Sequence, residues 1–142
     1  MSKYFFILSL AFASVLQAKE FTSSDQIVKK LSAYQLHDLT GDIQRLKNKE
    51  SLKIDEMFDD LEAAAKFLEG KTPSEDVAYH IERVCLLTFL HDPTSFAVDL
   101  TLSTYEKNKS IFEKAAKKLH NYDMQVILEV YDGKSGALKN SG

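Results

Sequence analysis

From Ile54 to Leu68 the apolar residues fall at helical intervals: Ile54, Met57, Phe58, Leu61, Ala64, Ala65 and Leu68. That spacing gathers them on one stripe of an α-helix, and the stripe needs other elements to cover it. Ser51 stands where a cap belongs, and Gly70 lies just past the end, where a left-handed residue is wanted. Asp55, Glu56, Asp59, Asp60 and Glu62 make up the opposite, water-facing side. A segment of this kind fixes the class of fold, because the rest of the chain repeats the same period.

Before it, Ile27, Val28, Leu31 and Tyr34, then Leu36, Leu39, Ile43 and Leu46, predict a helix that starts after Ser23 or Ser24 and breaks near Thr40-Gly41. After it, Thr72-Pro73-Ser74-Glu75 reads as a capped start with Thr72 as the cap, Pro73 in the first helical position and Glu75 closing a capping box. Val84 to Leu90 is apolar nearly all round, so this helix, from Val77 to Leu90, belongs at the centre.

Asp92-Pro93 marks the next boundary. Phe96, Leu100 and Tyr105 line a fourth helix, and Ile111, Phe112, Ala115, Ala116 and Leu119 form a further apolar face. Asn108 or Ser110 starts a new helix there, unless the fourth runs through. Met124 to Tyr131 is taken as helix, since a lone strand would have nothing to pair with. Residues 51–90 and 93–131 each have the length of a helical hairpin, but their apolar positions do not align, which favours chance over a repeat.

The expected fold is therefore all-α: a single small domain of four to five helices, as a bundle or a short stack of hairpins, over residues 19–131. Residues 132–142, with three Gly and two Ser, read as a flexible C-terminal tail.

Residues 1–18 read as a signal peptide. Lys3 supplies the positive start, Tyr4 to Leu16 is uncharged and apolar, and Leu16-Gln17-Ala18 offers a small residue before Lys19-Glu20. The chain is thus expected to be exported, to the periplasm or, as the alternative, by secretion. Cys85 is the only cysteine, so no disulfide forms within the chain. Small secreted domains of animals are usually rich in disulfides, which points to a bacterial envelope. Without Lys3, the remaining 17 basic and 21 acidic residues give a net charge of −4. That sign disfavours nucleic acid as a partner, and no second apolar run approaches membrane-spanning length.

The residues name little chemistry. His37, His80, His91 and His120 are scattered. Asp76 and His80 are four apart on one helix, but His80 and His91 would lie about 16 Å apart, too far to share an ion. Cys85, between Val84 and Leu86, reads as a buried thiol rather than a nucleophile. Gly133-Lys134-Ser135 lacks the upstream glycine of a phosphate-binding loop, since position 128 is Leu128. Asn108-Lys109-Ser110 fits a glycosylation acceptor, relevant only in a eukaryotic secretory pathway.

No cofactor or metal is expected. The favoured function is an exported small binding protein without catalytic activity, such as an accessory subunit, inhibitor or adaptor, whose partner is another protein or an envelope component. The alternatives are a helical carrier of a small apolar ligand or lipid, and an enzyme whose site assembles from Asp76, His80 and His91. Lys107, Lys114, Lys117 and Lys118 form the candidate partner-binding face, with Lys107, Lys114 and Lys118 sharing one side of a helix if it is continuous.

Overall fold

The computed structural model describes residues 20–141, so the expected signal peptide and its cleavage point after Ala18 lie outside the described residues. Within them the fold is all-α, with more segments than the four or five expected. They are α1 (Ser24–Ser32), α2 (Leu36–Thr40), α3 (Asp42–Lys47), α4 (Lys53–Phe67), α5 (Glu75–Phe89), α6 (Phe96–Lys107), α7 (Lys109–Ala116) and α8 (Asn121–Ser141). The expected break at Thr40-Gly41 is the junction of α2 and α3, and a further break at residues 33–35 separates α1. No described helix is long and apolar enough to cross a membrane.

Helix α5 is the centre. It packs against α1, α4, α6, α7 and α8, and Val77, Ala78, Ile81, Val84 and Cys85 are fully buried. The enclosed stretch stops short of Leu90, which is 73% exposed. Arg83 ties α5 to α1: its guanidinium donates to the carbonyls of Leu31 at 2.6 Å and Tyr34 at 2.8 Å. Those carbonyls at and just beyond the end of α1 gain a cation, the charge that a helix C-terminus favours.

The helix starts differ from the sequence expectation in instructive ways. Ser23 does cap α1, accepting from the amide of Gln26 at 3.2 Å. Ser51 does not cap α4. The cap position is Leu52, and the amides of Lys53 and Ile54 go instead to the two carboxylate oxygens of Asp42, at 2.8 and 3.0 Å. Thr72 is not a cap either. Ser74 caps α5 through the amide of Val77 at 3.1 Å, which puts Pro73 outside the helix and leaves Glu75 free to turn elsewhere. At the far end of α4, Gly70 has φ +73°, the left-handed turn that its position required.

Helix α6 begins under Asp92, which accepts from the amide of Phe96 at 2.8 Å. Its buried face is Ala97, Val98, Thr101, Leu102, Thr104 and Tyr105, while Phe96 is 45% exposed and Leu100 only partly covered. The helix stops at Asn108, whose side chain donates to the carbonyl of Thr104 at 2.9 Å, and α7 starts afresh.

Met124 to Tyr131 is helical, as expected, and α8 runs on past Asp132 to Ser141. Side chains beside and between the glycines hold it to α6. Asp132 accepts from the Tyr105 hydroxyl at 2.6 Å, Lys134 meets Asp99 at 2.8 Å, and Ser135, itself buried, donates to Glu106 at 2.7 Å. These contacts offset the helix cost of Gly133 and Gly136, about 1 kcal/mol each.

Candidate functional site

The four lysines do not form one ridge. Lys107 closes α6, and the break at Asn108 separates it from α7. It borders an open cleft of about 400 Å³ between α4 and α6, beside Lys66, Glu69 and Ser103. Lys114, Lys117 and Lys118 gather at the end of α7, where positive charge suits the helix C-terminus. Lys114 and Lys118 both grip Glu75 in the first turn of α5, at 3.1 and 2.9 Å. The hydrogen bond from Lys118, then that from Lys114, holds the Glu75 carboxyl below its ordinary pKa. Lys107 and Lys117 are exposed and have no carboxylate partner among the described residues.

Asp76, His80 and His91 line none of the clefts described among residues 20–141. Asp76 and His91 are exposed; His80 is half-buried, and its Nδ1 has no hydrogen-bond partner among the described residues. Burial, reinforced by Arg83, lowers the His80 pKa. No group of three or more His, Cys, Asp or Glu side chains among the described residues is placed to hold a metal ion.

Helix α4 carries a charged arrangement that the sequence pattern missed. Asp60, expected on the water-facing side, is 1% exposed. Its carboxylate accepts from the hydroxyl of Tyr34 and lies 3.8 Å from the ammonium of Lys30. Glu56 sits between Lys30 and Lys53, 2.8 Å from each, and their hydrogen bonds pull its pKa down to about 2. Asp60 directly precedes Leu61 at the edge of the buried stripe, and Lys30 and Tyr34 are four apart on the facing segment. Those two spacings were the only hints. Asp55, Asp59 and Glu62 are exposed, as expected.

A second polar group is sealed inside. Glu82 is fully buried, and neither carboxyl oxygen has a hydrogen-bond partner among the described residues. Burial pushes its pKa up to about 9, so the side chain is protonated at neutral pH. One turn along α5, Cys85 lies 3.8 Å from the Tyr131 hydroxyl and 3.9 Å from the Thr101 hydroxyl, which are themselves 2.6 Å apart. Tyr131 stacks on Tyr105 with ring centres 4.2 Å apart. Burial pushes the Cys85 thiol up to about 12, the state of a packing residue and not of a nucleophile.

No family model, no curated protein and no solved structure matches this chain. The geometry alone therefore sorts the candidates. Glu82, Cys85 and Tyr131, whose acidity burial weakens, are enclosed, and the unpaired charges and several large aliphatic side chains face outward.

Proposed function

We propose that the protein is an exported small helical binding protein without catalytic activity of its own, acting through its surface on another protein or an envelope component. The observation that carries this reading is the enclosure of Cys85, Glu82 and Tyr131, all at 0% exposure. A partner arriving from solvent meets none of them, and it does meet Lys107 and Lys117, whose charge is not spent on a neighbour. An anionic partner suits these two lysines, with an attraction that salt weakens. Residues 1–18 fit an export signal, which supports a site of action in the periplasm or outside the cell.

The test is association of the protein isolated from its host with its native envelope fraction. Lys107→Glu with Lys117→Glu is expected to weaken that association and its salt dependence while leaving the melting temperature in place. Lys114→Glu with Lys118→Glu is a poorer probe, because it sets two carboxylates beside that of Glu75 and unsettles the start of α5. Association that is insensitive to salt and to the Lys107 and Lys117 reversal would overturn the proposal.

A further inference from the structure

Helix α3 holds its apolar side chains out to solvent. None of its residues is buried, and Ile43 and Leu46 are 66% and 67% exposed, with Leu36 of the adjoining α2 at 47%. The orientation is locked from the other side. Asp42 faces α4 and takes its first two amides, and the Arg45 guanidinium bonds Asp42 and the carbonyl of Asp38, each at 2.7 Å. With Asp42 and Arg45 fixed inward, the 100° step of an α-helix places Ile43 and Lys47 on the outward side, with the exposed Leu46 on the flank about 60° from Ile43.

The end of α3 adds a further cation. The amide of Glu50 bonds the carbonyl of Arg45 at 2.9 Å, and that of Lys49 bonds Leu46 at 3.2 Å. This is the double closure that normally places glycine in the left-handed position. Here Lys49 occupies it, with φ 57°. Lys47 and Lys49 are exposed and have no carboxylate partner among the described residues. Within residues 42–50 Arg45 is paired with Asp42, and Lys47 and Lys49 stand against one further carboxylate, Glu50, in a chain whose net charge is −3.

We propose that this knuckle, Ile43 and Leu46 flanked by Lys47 and Lys49, docks on the surface of an anionic lipid bilayer. The aliphatic side chains enter the headgroup region, and the ammonium groups meet lipid phosphate. Size argues against a protein partner. Three aliphatic side chains on short helices fall well short of the ~800 Å² per partner of a standard protein interface. A bilayer gains from each inserted side chain separately and needs no matched surface. The contact is peripheral, weak and reversible, and it is distinct from Lys107 and Lys117.

Flotation of the protein isolated from its host, with vesicles of phosphatidylcholine alone or containing phosphatidylglycerol, tests this. Binding is expected only to the anionic vesicles and is expected to fall as salt rises. Ile43→Ser with Leu46→Ser should reduce it by about tenfold or more, and Lys47→Glu with Lys49→Glu should do likewise. Both pairs lie in solvent, so circular dichroism and melting temperature should match the parent. Equal binding to uncharged vesicles, unchanged binding by either double variant, or no binding at all would overturn the proposal. So would a dimer seen in sedimentation that the Ile43 and Leu46 changes convert to monomer, because the face would then belong to a second copy.

Discussion

The carboxylate of Asp42 receives the backbone amide of Lys53 at 2.8 Å, so α4 is started by a residue eleven positions upstream. The second oxygen takes the amide of Ile54. One side chain thus satisfies two of the amides that a helix start leaves without partners.

Asp42→Ala is expected to cost about 1–2 kcal/mol in equilibrium denaturation, and Ser51→Ala to change little. The same site predicts a pH dependence. Burial acts to raise the Asp42 pKa, but the amides of Lys53 and Ile54 and the Arg45 guanidinium outweigh it and lower it. A depressed carboxylate pKa contributes stability above the unfolded value, and that stability is lost as pH falls through the folded one. The acid limb of the stability curve should therefore be shallower in Asp42→Ala.

Ser74→Ala should destabilise the fold by about 1 kcal/mol, and Thr72→Ala should leave the denaturation midpoint where it is. A loss of stability at Thr72 would mean that α5 starts earlier than its hydrogen bonds indicate.

Glu82 predicts the opposite pH slope from Asp42. Its folded pKa, about 9, lies above the ordinary carboxyl value of 4.5. Between the two the folded chain binds a proton that the unfolded chain does not. Stability from this group is present below about pH 4.5 and is lost as pH rises toward 9, by about 1.4 kcal/mol per pH unit. Glu82→Gln should flatten the decline between about pH 5 and 9, measured by urea denaturation at a series of pH values. An unaltered slope would show that Glu82 is ionised and partnered in the fold.

Cys85 should resist thiol reagents in the native protein and react only at the rate of global unfolding. Cys85→Ala removes a packed atom and should cost about 1–2 kcal/mol. Labelling faster than unfolding would show that α5 is not central.

What the sequence made legible was whatever depends on near neighbours along the chain. The stripe from Met57 to Leu68, the turn at Gly70, the interruption at Gly41 and the enclosure of Cys85 all follow from short-range spacing. What it hid depends on distant partners. Nothing near Ser51 says that Asp42 will do the capping, or that Tyr34 and Lys30 will make a buried place for Asp60. The glycines after Asp132 read as a loose end because Tyr105, Glu106 and Asp99, which hold α8, lie some thirty residues earlier. The lysine face was half legible. The charges were visible, but the break at Asn108 and the carboxylate of Glu75 decided which remained unspent.

The bond from Arg83 to the end of α1 spans 49 residues to Tyr34 and 52 to Leu31. During synthesis the beginning of the chain therefore waits for its latch. Until α5 has been made, the last carbonyls of α1 face water, and its apolar residues Ile27 and Leu31 have no α5 to rest on. The latch between α1 and α5 closes only once Arg83 has been made.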